Sequence, residues 1–289
     1  NLTRHFSLKQ TTRTLFFTVL ALTAFAANSV ICRMALSQKA IDPASFTGIR
    51  LISGALVLIL LVSITNRKNN AAVKGSWWSG AILFLYAITF SFAYISLDTG
   101  TGALILFAAV QITMITYALI TGKKMNLKEW LGVLMAFAGF IYLVFPGVTA
   151  PSLNGLLLMT LSGIGWGIYT LRGKGSANAL QVNAYNFLRT LPLVGIMFLF
   201  SLKQIQVTNE GIILAILSGA VTSGVGYTIW YVALRGLTAV QASVVQLLVP
   251  VIAAAGGVIF LSEILNLRLI LAAVLILGGI GLVVVAKKT

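Results

Sequence analysis

The run Gln241-Ala242-Ser243-Val244-Val245-Gln246-Leu247-Leu248-Val249-Pro250-Val251 puts two amides and a proline inside an apolar stretch that continues through Gly256-Gly257 to Glu263. Pro250 has no N–H, so a helix drawn through it leaves the carbonyl of Gln246, four residues earlier, without its partner. In hydrocarbon such a carbonyl must be satisfied by protein, water or a bound molecule. Gln246 offers a side-chain amide at the same depth, and is the first candidate for a polar path through an apolar interior. Charges inside apolar runs are the next suspects, because they are expensive there. Arg50 falls about six residues, or about 9 Å, inside its run, and Arg189 about nine residues, or about 13 Å, inside another. Asn183, Asn186 and Thr190 share a face with Arg189 at three- and four-residue spacing. An arginine beside two amides suits a carboxylate or a phosphate. The plainer reading is that both arginines snorkel to an interface or cap carbonyls of a neighbouring helix.

Uncharged candidates stand at similar depths. Asn28 is mid-run, and laying the second half of the chain over the first sets Gly167 on it, which leaves space there. Trp166 adjoins that glycine, and an offset larger by one residue sets Trp230 on Phe90. Tyr86 precedes Phe90 by one turn, and Tyr227 precedes Trp230 by three residues. Such rings pack or face lipid as readily as they line a cavity; lining one, they favour an apolar or aromatic ligand. Gln111 is a weaker candidate. Gly163 and Gly167 read as a close helix contact, Arg33 and Arg172 as interfacial anchors at run ends, and Cys32 as a small packing residue. Glu263 reads as a carboxylate complementing the N-terminus of the last helix.

The elements that must hold these residues follow from composition. Of 289 residues 59% are hydrophobic and 9% charged, with a mean hydropathy of +1.01, where soluble domains carry about a quarter charged residues. A spanning helix needs about 20 apolar residues, and ten such runs are expected near 14–36, 44–65, 77–97, 101–121, 129–146, 154–172, 180–202, 211–234, 238–261 and 268–286. The chain opens on Asn1, so its true start is expected to be missing. Arg4, Lys9 and Arg13 before a run that reaches Ala24-Phe25-Ala26 also read as a signal peptide; the run's continuation to Leu36 and its counterpart in the second half favour a span. Twenty Lys and Arg against five acids speak for topology, not nucleic acid. With the N-terminus inside, fourteen cations fall in inside segments (among them Arg67, Lys68, Lys74, Lys123, Lys124, Lys287 and Lys288). Four fall outside (Arg33, Lys39, Lys203 and Arg268). Both termini are therefore expected in the cytoplasm.

The halves repeat. Laid over the first half at one fixed offset, the second sets Arg172 on Arg33 and Arg189 on Arg50. An offset larger by one sets Asn266-Leu267-Arg268 on Asn126-Leu127-Lys128. Residues 1–146 and 147–289 are thus expected as two five-span units, and an odd span number inverts the second against the first. That is a transporter architecture, with a site near the midplane. The Arg50-Leu51-Ile52-Ser53-Gly54-Ala55 run and the ninth span's small residues with Pro250, closed by Leu261-Ser262-Glu263, resemble the drug/metabolite transporter superfamily. The match is to its ten-span EamA-type permeases and covers essentially the whole chain. It implies alternating access, a pathway lined by spans one to four and six to nine, and peripheral fifth and tenth spans. It also implies a structural arginine at the Arg50 position whatever the substrate. The first half departs from the pattern: Val110 stands at Pro250's equivalent and Lys123 at Glu263's.

Members resembling this chain export amino acids or other small metabolites, and relatives carry nucleotide sugars and sugar phosphates. The expectation is an all-α inner-membrane exporter of small zwitterions or anions, amino acids first. A phosphorylated-metabolite or nucleotide-sugar exchanger is the alternative, and a multidrug exporter the next. Its partners are the small-molecule substrate and the lipid bilayer, not nucleic acid, and it is a monomer or homodimer. The five acids (Asp42, Asp98, Glu129, Glu210, Glu263) fall in or beside loops, and His5 is the only histidine. Facilitated diffusion or exchange is therefore expected over obligatory proton antiport, with Asp98 the one titrating group near the path. No nucleophile with a base and no metal-ligand cluster lies at depth, so neither enzyme chemistry nor a cofactor is expected.

Overall fold

The computed structural model describes residues 2–65, 75–122, 125–145, 147, 150–174, 176, 178–237, 242 and 245–286. Several loop cations used for topology (Arg67, Lys68, Lys74, Lys123, Lys124, Lys287, Lys288) and the first residues of the ninth run lie outside them. The apolar runs become helices in order: α1 (Leu2–Ser37), α2 (Pro43–Thr65), α3 (Trp77–Ala93), α4 (Thr99–Ile120), α5 (Leu127–Val144), α6 (Leu153–Gly173) and α7 (Ala179–Ser201). Then follow α8 (Asn209–Leu234), α9 (Leu248–Leu261) and α10 (Leu267–Ala286). Among the described residues the one extended pairing is an isolated bridge between Ile41 and Val207. α1, α2, α4, α7 and α8 are each long and apolar enough to cross a bilayer; α3, α9 and α10 are shorter apolar helices. α1 runs unbroken through Ala24-Phe25-Ala26.

Polar residues at the run edges set the helix starts. The side chains of Ser76, Ser152, Asn178 and Thr208 accept from backbone N–H groups at the starts of α3, α6, α7 and α8. Asn126 and Glu129 form a reciprocal capping box on α5. The N-terminal group of α10 is Asn266, which accepts from Leu269 N at 2.7 Å. Glu263, expected to serve that helix, instead accepts from Thr99 N at 2.9 and 3.0 Å. Its carboxylate complements α4, because Ser262 in the left-handed region turns the chain back across Thr99.

Two helices depart from plain α form. α8 is π-helical over Leu217–Val225, a stretch rich in small residues: Ser218, Gly219, Thr222, Ser223 and Gly224. The ninth run is broken rather than kinked: Leu247 is a turn, and α9 starts at Leu248. Pro250 therefore sits in a first turn, where a missing N–H costs little, and the carbonyl of Gln246 belongs to the end of the preceding segment.

The packing is closed under exchange of the halves. α2 lies against α7 and α5 against α10; α3 and α4 both pack on α6, as α8 and α9 both pack on α1; α4 meets α9. Each pair maps onto itself or onto another pair when α1–α5 are exchanged with α6–α10, as a two-fold relation between inverted units requires. α5 and α10 form a peripheral pair whose backbones touch: a Cβ on Gly279 would meet Ala136 N and Gly132 O. The α1–α2, α3–α4, α5–α6, α7–α8 and α9–α10 connections gather at one end, here the Asp98 end. There Asp42 Oδ2 accepts from Gln206 N at 3.0 Å, Ser96 Oγ lies 2.7 Å from Ser152 Oγ, and Arg268 Nη1 donates to Phe145 O at 2.8 Å. The opposite end is marked by Arg172.

Candidate functional site

Arg50 is carried into the centre by the close approach of α2 and α8. Gly219 has no side chain, and a Cβ there would strike the backbone carbonyl of Arg50 and Ser53 Oγ. The guanidinium does not snorkel: Arg50 is 1% exposed. Its Nε donates to Ser223 Oγ at 3.0 Å, and its Nη2 to Tyr227 OH at 2.8 Å and Tyr86 OH at 3.2 Å. Tyr227 OH in turn donates to Tyr86 OH at 3.1 Å. The Phe90 and Tyr86 ring centroids lie 5.0 and 5.3 Å from Cζ, within cation–π range. Nη1 is buried with no partner, and among the described residues no carboxylate pairs with this cation: the ion pairs all involve Arg33.

Aromatic rings close over this centre. Phe25, Asn28, Ser29, Tyr86, Phe90, Leu106, Phe107, Trp166 and Tyr227 line a remaining space of about 10 Å³, room for about one water. Trp166 lies 4.6 Å from Tyr227 and 5.1 Å from Tyr86, ring to ring. Phe25 makes edge contacts with Trp166, Tyr227 and Trp230. The indole nitrogens of Trp166 and Trp230 are buried donors without acceptors. One cation, three unmatched buried donor groups and a ring of π faces form a centre suited to a small molecule with an anionic group.

Of the residues singled out in the sequence, Arg50, Tyr86, Phe90, Asn28, Trp166 and Tyr227 come together here, with Trp230 one ring away. Asn28 Oδ1 accepts from Ser218 Oγ at 2.6 Å and Thr222 Oγ1 at 3.1 Å, joining α1 to the π-helical stretch. Gln111 is buried on α4. Gln246 is fully buried, its Nε2 donating to Ala242 O at 3.1 Å while Oε1 has no partner. Pro250 is buried in α9.

The grouping of Arg189 with two amides does not form. Arg189 donates from Nη1 to Tyr185 O at 3.0 Å and lies over the rings of Trp77 and Tyr185. Asn183 accepts from Tyr169 OH at 2.7 Å, and Asn186 donates to that hydroxyl at 3.3 Å while accepting from Ser76 N at 3.0 Å. The amides fasten α7 to α6 and α3; the arginine turns to a neighbouring tryptophan. Phe25, Ser29 and Ser223 belong to the centre and were not singled out; the Ser/Gly/Thr run of the eighth span was the available signal. Arg33 and Arg172, read as anchors at run ends, each bind a neighbouring element there.

Comparison with known proteins agrees with this architecture. The sequence profile of the EamA-like transporter family matches residues 12–145 and again residues 153–285. The protein PA1977 of Pseudomonas aeruginosa is 48% identical over 275 residues, spanning 95% of this chain and 96% of that protein. The uncharacterized transporter YoaV of Bacillus subtilis is 25% identical over 256 residues, 83% of this chain and 86% of its own. An uncharacterized transporter of Archaeoglobus fulgidus is 25% identical over 205 residues, 69% and 73% of the two chains. A solved crystal structure shares the fold with a TM-score of 0.68 at 17% identity, over 94% of this chain and 97% of the other.

Proposed function

The chain belongs to the EamA-like transporter family, and on that premise we propose that this multi-pass membrane transporter carries small solutes bearing one carboxylate, amino acids first. The observation that carries this is the Arg50 guanidinium: buried, held by hydroxyls and rings, and with no carboxylate among its described neighbours. A buried charge is costly until a counter-charge joins it, and a substrate carboxylate supplies one. A single cation suits a monoanion better than a phosphate dianion, and repels the organic cations that a multidrug exporter moves. The unmatched indole N–H groups of Trp166 and Trp230 add uncharged donors for that carboxylate, and the rings accept an apolar side chain.

In this reading the closed cage is the occluded stage of alternating access, and the pathway residues are Asn28, Arg50, Tyr86, Phe90, Trp166, Tyr227 and Trp230, with Gln111, Gln246 and Pro250 on α4 and the ninth run. Asn183, Asn186 and Arg189 hold α7 in place. The positive-inside pattern puts the Asp98 end outside and both termini in the cytoplasm of an inner-membrane exporter. The halves divide as 1–146 and 147–289. The test is counterflow in proteoliposomes preloaded with neutral, aromatic and acidic amino acids, sugar phosphates or a lipophilic cation. Amino-acid exchange that is lost in Arg50→Ala supports the proposal; exchange of the cation alone, unaffected by that substitution, sinks it.

A further inference from the structure

Arg33 and Arg172 occupy corresponding places in the two repeats, yet they hold different partners. Arg33, in the last turns of α1, ties two connections together. Its Nη1 donates to Tyr94 O at 2.9 Å and Ile95 O at 3.1 Å, and its Nη2 to Asp98 Oδ1 at 3.3 Å, all between α3 and α4. Its Nε lies 3.5 Å from Glu263 Oε1, between α9 and α10. Glu263 also accepts from Thr99 Oγ1 at 3.0 Å, besides the Thr99 backbone. Elements of both repeats are thus fastened by charge at the Asp98 end. At the other end, among the described residues, Arg172 donates to two hydroxyls of α3 and its cap, Ser79 Oγ at 2.9 Å and Ser76 Oγ at 3.2 Å. The position in the first repeat that corresponds to Glu263 is Lys123. The only carboxylate at the Arg172 end among the described residues is Glu129, and it is held in the α5 capping box.

We propose that the Arg33–Asp98–Glu263 cluster is the gate of the transport path at the Asp98 end. It breaks in each cycle. The inference rests on reading the Arg50 cage as the centre of the path. The cluster joins the two repeats, whose separation at this end opens the path. It lies at the edge of water, with the Asp98, Arg33 and Glu263 side chains 54%, 17% and 12% exposed. Ion pairs in that position are strong enough to hold and screened enough to exchange for water. Behind it, toward Arg50, lies Cys32, fully buried beside Ser91 and within the influence of both Arg33 and Arg50. Opening the cluster wets this thiol first.

Cys32 is the chain's single cysteine, so its alkylation reads opening at this end without an engineered label or a substrate. Purified protein in detergent micelles is treated with a water-soluble maleimide. Glu263→Gln, which removes the ion pair to Arg33 Nε, and Arg33→Gln, which removes that pair and three hydrogen bonds, each raise the alkylation rate at least about tenfold. About 1 M salt raises the wild-type rate in the same direction. Cys32→Ser takes no label, which assigns the signal. Arg172→Gln, at the opposite end, does not raise the rate, and neither does Gly279→Leu, which loosens only the peripheral α5–α10 pair. Unchanged labelling in both Glu263→Gln and Arg33→Gln overturns the proposal; so does an equal rise in Arg172→Gln or Gly279→Leu, which means general loosening. Because no substrate takes part, a failure of the carboxylate reading appears in counterflow and leaves this result intact.

Discussion

Tyr227→Phe and Tyr86→Phe test whether the two phenols and Arg50 act as one unit. Each hydroxyl takes one hydrogen bond from Arg50 Nη2, at 2.8 and 3.2 Å, and the two share a third bond at 3.1 Å. A hydrogen bond to a charged group contributes about 1.5–3 kcal/mol and one between neutral groups about 0.5–1.5. Each single variant is therefore expected to lose about 2–4.5 kcal/mol of stability, because a buried guanidinium N–H and the partner phenol are left unmatched. The shared bond is counted in both singles but exists once, so the double variant loses less than their sum by about 0.5–1.5 kcal/mol. Unfolding equilibria in mixed SDS–detergent micelles give the three values. Strict additivity, or single losses below about 1 kcal/mol, would refute the closed network, because a cage that is already wet in the resting state lets water replace each hydroxyl.

Arg50→Met separates stability from transport: a buried cation replaced by an apolar side chain of similar volume leaves stability unchanged or raises it by about 1–4 kcal/mol, while counterflow falls to background. Arg50→Lys keeps the charge but loses the fork that reaches Ser223 and both tyrosines together, and uptake is expected to drop at least about tenfold. Trp166→Phe removes a buried donor without an acceptor and part of a ring packed on Tyr227, Tyr86 and Phe25; stability falls by the cost of the cavity left behind, and half-saturation for carboxylate substrates rises about tenfold, the value of one hydrogen bond to a charged group. Gly279→Leu forces α10 away from Ala136 and Gly132 on α5, costing about 1–3 kcal/mol by overpacking, with substrate half-saturation unchanged.

Much of this was legible in the chain. The apolar runs became helices over their described residues, the ninth with a break, and Ser76, Asn126, Ser152, Asn178 and Thr208 mark helix starts because short polar side chains satisfy N–H groups there. Depth along a helix is also readable, which is why Phe90, Trp166 and Trp230 could be placed at corresponding depths of the two halves before any contact was known. Direction between helices is not. Arg189 shares a face with Asn186 by spacing, but its side chain stacks on Trp77 of α3, a choice made by a neighbour absent from the local pattern. Ser223 was hidden for another reason: within Leu217–Val225 the helix widens to π form, so a 3.6-residue period assigns the wrong residues to the face that meets Arg50.

The departures between the repeats carry the remaining information. α4 runs unbroken through Val110, whereas the ninth run breaks at Leu247, just before Pro250. The first half has Lys123 where the second has Glu263, and among the described residues the ion pairs lie at the Asp98 end, on Arg33. A protein whose two ends were equivalent would close each equally well. Here the pseudo-symmetric scaffold sets which helices meet, while an unmatched position, Glu263, sets what fastens the Asp98 end. The broken ninth run lies where these roles join: α9 leads into the connection that holds Glu263, and Gln246, just before the break, keeps a buried acceptor without a partner. In the proposed gate, a shift of α9 that frees Glu263 from Arg33 and Thr99 acts on the helix that begins at Leu248, just after the turn that follows Gln246.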